Sequence, residues 1–292
     1  MLAGCGLASG SKNEPVTVTV TRDFGSEHVA TVTVPRKQSS ESMKQLLSRS
    51  LRARVAADGT VESIDGVPVG SRQRWFRYVN GTGSTSLLEL TNVHPGDQVW
   101  WDLHSDILTT TARAVVGAYP EPFEHGAGGR RLPTTLGCGT DVDAACKQVA
   151  AALAADGVKV ANSLLGTGSG QDSLNVVVGT WKEIEGELVA TLVDHGPSAS
   201  GIYARFTDGG AMLQLLDAQG RVVRTLGAAS GLVAATRDTQ SEPTWLITGT
   251  DAAGVTAAAR ALTPARLRRR FAVAVSGSDT FALPASFRTP VR

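Results

Sequence analysis

At 292 residues, with 42% apolar and 19% charged residues, the chain can bury one large core or two ordinary ones and lacks the composition of a disordered protein. Its 28 Lys and Arg against 27 Asp and Glu leave a net charge of +1, without the basic excess that gripping nucleic-acid phosphates requires, so nucleic acid is excluded as a partner. No run of 18 apolar residues occurs, which excludes a bilayer-spanning helix within this sequence.

The first stretch in chain order reads as a tether. Leu2-Ala3-Gly4-Cys5 resembles the lipobox of bacterial lipoproteins, where cleavage before the cysteine leaves a lipidated amino terminus. Small and polar residues follow from Gly6 to Glu14, the composition of a flexible linker. Residues 1–14 are therefore expected to be lipobox and tether, with Cys5 the lipidated residue. The basic and apolar parts of a signal peptide are expected upstream of it. This implies a protein held by lipid on the extracytoplasmic face of the cell membrane.

Val16 to Val20 and Val29 to Val34 alternate apolar and polar residues and predict two half-buried strands, with a hairpin turn at Asp23-Phe24-Gly25-Ser26. Ser39 to Ser42 offers N-caps for a helix carrying Met43, Leu46, Leu47 and Leu51. Further strands are predicted at Val61 to Ile64, Arg74 to Val79 and Gln98 to Leu103, with turns at Asn80-Gly81 and His94-Pro95-Gly96-Asp97. In the last strand Val99, Trp101 and Leu103 share one face and Trp100, Asp102 and His104 the other. One tryptophan is thus expected in the core and the other at the surface. Asp102, His104 and Asp106 fall two residues apart, a spacing that suits a metal and equally suits a solvated strand face; no metal is expected.

Two segments carry a family resemblance. Trp75-Phe76-Arg77-Tyr78-Val79-Asn80-Gly81, followed by Val93-His94-Pro95-Gly96-Asp97-Gln98-Val99-Trp100-Trp101, resembles the DUF4430 family, the transcobalamin carboxy-terminal-like β-grasp module. The resemblance covers about residues 15–110. It implies a β-grasp domain, a secreted or lipid-anchored protein, and a cobalamin-like or other vitamin-type ligand presented to a membrane transporter component. On that reading Trp75, Tyr78, Trp100 and Trp101 form the ligand surface.

Residues 111–131, with Pro120-Glu121-Pro122-Phe123 and Gly126 to Gly129, read as a linker. Residues 132–292 then alternate helices and strands around a small antiparallel meander at Ile202 to Leu226, an α/β domain of no assigned family. Cys138 and Cys146 are expected to form a disulfide, because no Cys/His set nearby completes a zinc site. Asp194-His195-Gly196-Pro197-Ser198-Ala199-Ser200 lacks a nucleophile elbow and reads as a loop. Gly166 to Asp172 lacks the end of a P-loop, and Arg266 to Arg270 reads as a solvated helix end with a lesser prospect of touching anionic headgroups. The expected fold class is α+β: a β-grasp-like domain followed by an α/β domain. The expected function is a membrane-anchored binding module without enzymatic activity or cofactor. The alternative is a structural or protein-interaction lipoprotein of the cell envelope.

Overall fold

Val16, Val18 and Val20 alternate with Thr17, Thr19 and Thr21, and a strand sends the two sets to opposite faces. The computed structural model describes residues 14–35, 41–84, 88, 90–105, 113–126, 128–166, 172–238 and 241–286, and its amino-terminal part is built on that distinction. Strands β1 (Val16–Arg22), β2 (Glu27–Val34) and β3 (Glu41–Ser42) lead into helix α1 (Met43–Ser50). Then come β4 (Arg54–Val55), β5 (Val61–Ile64), β6 (Val67–Pro68), β7 (Gln73–Val79), β8 (Thr82–Gly83), β9 (Asn92–Val93) and β10 (Gln98–Ser105).

The five-stranded sheet runs β2-β1-β10-β7-β8, with β1 and β10 parallel at its centre and the other pairs antiparallel. Helix α1 begins at a capping box: the Ser42 hydroxyl accepts from the Gln45 N–H, and the Gln45 side chain accepts from the Ser42 N–H. The helix lays Met43, Leu46 and Leu47 into a core with Val16, Val18, Val20, Trp101 and Leu103. The valine face of β1 is thereby covered, and the threonine face lies on the opposite side of the sheet.

The carboxy-terminal part comprises β11 (Thr134–Cys138), α2 (Asp143–Ala155), β12 (Val160–Ser163), β13 (Leu174–Thr180), α3 (Trp181–Ile184), α4 (Leu188–Asp194) and α5 (Pro197–Ser200). A meander of β14 (Ala204–Thr207), β15 (Met212–Leu216) and β16 (Val222–Leu226) follows. The chain then adds β17 (Ser230–Thr236), β18 (Thr244–Gly249), α6 (Ala252–Ala261), α7 (Pro264–Leu267), β19 (Ala272–Ser276) and β20 (Asp279–Leu283). The large sheet is seven-stranded, in the order β12-β11-β13-β18-β17-β19-β20. Its first four strands are mutually parallel and the rest antiparallel.

Parallel strands are buried on both faces and so read as continuous apolar runs, as Val176-Val177-Val178 does. Val176 and Val178 pack with Val149 and Leu153 of α2 and Val255 of α6, whereas Val177 and Leu246 join the opposite core with the meander. The strand-Gly-Thr segments at Val178-Gly179-Thr180 and Thr248-Gly249-Thr250 share one demand, close approach of a helix. A β-carbon on Gly179 would meet Ile184 Cγ2 at 2.7 Å, and one on Gly249 would meet the Val255 nitrogen at 2.5 Å. The fold is mixed α+β and dominated by sheet. The chain ends its sheet in a hairpin, β20 turning back on β19 through Gly277 at φ 59°.

The segment expected to be a linker is not a loose spacer. Ala114, Val116, Tyr119 and Phe123 are buried in the core that holds α2 and α6, and Phe123 packs on Trp245 with ring centroids 5.1 Å apart. The Val115 N–H donates to the Gly81 carbonyl (2.8 Å), and the Val116 N–H to the Phe271 carbonyl (3.2 Å), so adjacent residues bond to opposite halves of the molecule. Prolines and glycines marked a change of direction; they carried no information about whether the turns were packed.

Candidate functional site

The aromatic residues expected to bind ligand are all buried, at 8% exposure or less for Trp75, Tyr78, Trp100 and Trp101. Trp75 and Trp101 lie in the core under α1. Tyr78 and Trp100 lie on the other face, where the outward tryptophan meets protein rather than solvent. The cause is Phe271, delivered by the chain just before β19. Its ring stands edge-on to Phe24, Tyr78, Trp100 and His104, with centroids 5.2, 5.5, 5.2 and 5.3 Å away.

The polar face of β10 is equally enclosed. Asp102 is 0% exposed and accepts from the Thr21 hydroxyl (2.5 Å), the Phe24 N–H (3.0 Å), the Gly25 N–H (2.8 Å) and His104 Nδ1 (2.6 Å). Trp100 Nε1 donates to the Thr21 oxygen at 2.7 Å. The His104 ring is stacked between Phe24 and Phe76, at 4.2 and 3.9 Å. Asp102 and His104 thus share a face as the spacing required, but as the polar heart of an aromatic seam between the two sheets. Asp106 lies outside the described residues, as does Cys5.

Beside this seam the contact between the halves opens into a cleft of about 540 Å³. One wall is the threonine face left over on the five-stranded sheet: Thr19, Thr31 and His28, with Gln98 on β10 and one side of Trp100. Thr19 pairs in register with Thr31 on β2 and with Trp100 on β10, which sets these side chains in a row. The opposite wall is the turn after α7, with Arg268 and Arg269, and Gly117-Ala118 form the floor. Small residues permit this approach. A β-carbon on Gly117 would lie 2.7 Å from Trp100 Cζ3 and 2.8 Å from the Arg270 backbone, and one on Gly25 would collide with the Arg269 carbonyl.

The Asn80-Gly81 and Gly96-Asp97 motifs turn out to be the lock for the connecting segment. Asn80 adopts φ 50°, its amide donates to Asp97 Oδ1 (2.8 Å) and the Gly126 carbonyl (2.9 Å), and its oxygen accepts from the Gln98 N–H (2.9 Å). Gly96 is packed against His125, which bonds Glu121 through Nδ1 and Glu14 through Nε2 (2.6 Å). Glu121, Glu124 and His125 bring potential metal-ligand atoms within 4.8 Å of one another. A proton competes for that position. Hydrogen bonding to Glu121, supported by Glu14, raises the His125 pKa to about 9 against the opposing pull of burial.

That shift has a sign that can be measured. A histidine pKa raised above its unfolded value of about 6.5 contributes stability that is complete below that pH and lost as pH climbs through about 9. The melting temperature should therefore fall between about pH 7 and pH 10 with a component that His125→Gln removes. Parallel pH profiles for the two proteins would refute the assignment.

Cys138 and Cys146 pair as a disulfide, with Cα atoms 6.1 Å apart, joining the end of β11 to the first turn of α2. Closing so short a loop stabilises by about 2–3 kcal/mol in the chain-entropy picture. Ser200 Oγ donates to the Gly196 carbonyl (3.0 Å) and accepts from the Ile202 N–H (3.1 Å), a helix-end role. The arginine run, set aside in sequence as a solvated helix end, lines the cleft. Its one sequence signal was three consecutive guanidinium groups with no acid beside them.

No family model matches the chain, and no curated protein matches it. Among solved structures, a proposed metal-binding protein from Ruminococcus gnavus overlaps 32% of this chain and 97% of its own, at 16% identity and a TM-score of 0.27. An overlap of that quality carries no argument about fold or function.

Proposed function

We propose that this is an extracytoplasmic, lipid-anchored binding protein, with a β-grasp domain at residues 15–110 and an α/β domain at 132–292, that holds a small molecule in the cleft between them as an accessory to a membrane transporter. The observation that carries the reading is the cleft itself: about 540 Å³ of open space walled by a row of hydroxyls on one side and arginines on the other. Sites of this kind favour domain boundaries and a few convergent polar groups. The β-grasp assignment is supported by the order hairpin, helix, further strands, with the first strand parallel to the last at the sheet centre.

The ligand surface moves relative to the one that the family resemblance implies. A flat corrin ring would stack on exposed aromatic faces, but Tyr78 and Trp100 are spent on the seam and Trp75 and Trp101 on the core under α1. The cobalamin-type ligand of the resemblance therefore has no support in the cleft lining, which is polar and cationic. A binding role is favoured over a hydrolytic one because the Ser200 hydroxyl is committed to its own helix end. The second reading, a protein-interaction lipoprotein, draws on β2, which stands at the edge of the five-stranded sheet among the described residues.

Native mass spectrometry of protein purified from its own envelope tests the reading. The intact chain should carry extra mass that denaturation releases and that Thr31→Trp, which fills the exposed wall of the cleft, abolishes. Equal retention by both proteins would move the site elsewhere. For the anchor, Cys5→Ser should shift the full-length product from the detergent phase to the aqueous phase; unchanged partitioning would end the tether proposal.

A further inference from the structure

Three consecutive arginines follow α7, and their charge is uncompensated. Arg268 is exposed, Arg269 and Arg270 are half-buried, and among the described residues no hydrogen bond or ion pair engages any of the three guanidinium groups. Some arginines elsewhere on the molecule pair with an acid: Arg130 meets Asp172 at 2.7 Å, Arg221 meets Asp217 at 2.7 Å and Arg52 meets Asp65 at 2.8 Å. Burial, reinforced by the neighbouring Arg269 charge, pulls the Arg270 pKa below its usual range. Concentrating like charges around an opening without a carboxylate is costly, and an anion in the cleft removes the cost. The facing wall offers hydroxyls at Thr19 and Thr31, the latter 2.9 Å from His28 Nε2.

We infer that the cleft recognises a dianionic oxyanion, the phosphate of a phosphomonoester, held by Arg268 and Arg269 and faced by the hydroxyls of Thr19 and Thr31. This rests on the cleft being the binding site. A guanidinium fork matches phosphate oxygens bidentately, and two adjacent forks match two negative charges where a single carboxylate supplies one. The apolar edge of Trp100 at the same opening leaves room for the organic part of the ester. Two sources present this chemistry, a soluble phosphomonoester and a phosphatidic acid headgroup on the membrane that the tether faces.

The test is titration calorimetry of the full chain with inorganic phosphate and glycerol 3-phosphate, alongside sedimentation with phosphatidylcholine vesicles containing or lacking phosphatidic acid. Glycerol 3-phosphate should bind at one site and weaken with salt. Arg268→Gln with Arg269→Gln should weaken it by about tenfold or more, while Lys159→Gln, on an exposed side chain away from the cleft, leaves it unchanged. Urea midpoints equal to that of the parent show that the double variant is folded. Binding to phosphatidic acid vesicles alone, with the same arginine dependence, assigns the lipid as the source. Absence of arginine-dependent binding to any of these probes overturns the inference. A neutral or monocarboxylate molecule found by native mass spectrometry and expelled by Thr31→Trp would overturn the phosphate assignment and leave the cleft standing.

Discussion

Replacing Phe271 by alanine is expected to cost about 3–5 kcal/mol, the range for deleting a buried aromatic side chain. The ring is 2% exposed and touches Phe24, Tyr78, Trp100 and His104, so its loss opens a void that rigid strands on both sides cannot collapse to fill. Urea unfolding followed by tryptophan emission and far-ultraviolet circular dichroism checks it. Both signals should report the same lowered midpoint, because Trp100 at the seam and the sheets it joins unfold together. A loss below about 1 kcal/mol would show that Phe271 is not the keystone of the seam.

Asp102→Ala is expected to be as damaging for a different reason. The carboxylate gathers two backbone N–H groups, a threonine hydroxyl and an imidazole in a space without water access. Removing it leaves four buried donors without their acceptor, and breaking such a cluster costs about 3–5 kcal/mol. Asp102→Asn should fall between, since its one remaining oxygen can serve part of the cluster while its amide hydrogens oppose the rest. An alanine variant within about 1 kcal/mol of the parent would contradict the burial of this face.

Local sequence reveals backbone conformation and hides what a strand face meets. The alternation of Val16, Val18 and Val20, the Ser42 cap, and the valine run at Leu174 to Thr180 each state a backbone conformation within a few residues, and those elements stand where their patterns place them. The meander at Ala204 to Leu226 and the pairing of Cys138 with Cys146 follow from signals of similar range. Strand alternation also placed Trp100, Asp102 and His104 on one face. It did not say what that face meets. Phe271 lies far along the chain from Trp100, and nothing in either segment encodes their contact.

The same limit governed the candidate site. Arg268 and Arg269 form a cleft wall only because Gly25 and Gly117 admit their turn against the five-stranded sheet. Glu121 and His125 sit in a stretch rich in prolines and glycines, where turn chemistry masks a part-buried ion pair with Glu14. Like-charged residues in sequence signal either solvent or an absent counter-ion. Only the fold distinguishes a helix end in water from the lip of a cleft.

Trp100, Tyr78 and Phe271 build the seam, and the cleft beside them is the proposed ligand site. Hydrogen exchange on the full chain, with and without glycerol 3-phosphate, tests this most directly. Added protection is expected at Val16–Arg22, Glu27–Val34, the start of Gln98–Ser105, Gly117-Ala118 and the turn following Pro264–Leu267, the segments that line the cleft. Protection centred on Gln73–Val79, with those cleft segments unchanged, would contradict it and return the ligand to the aromatic face.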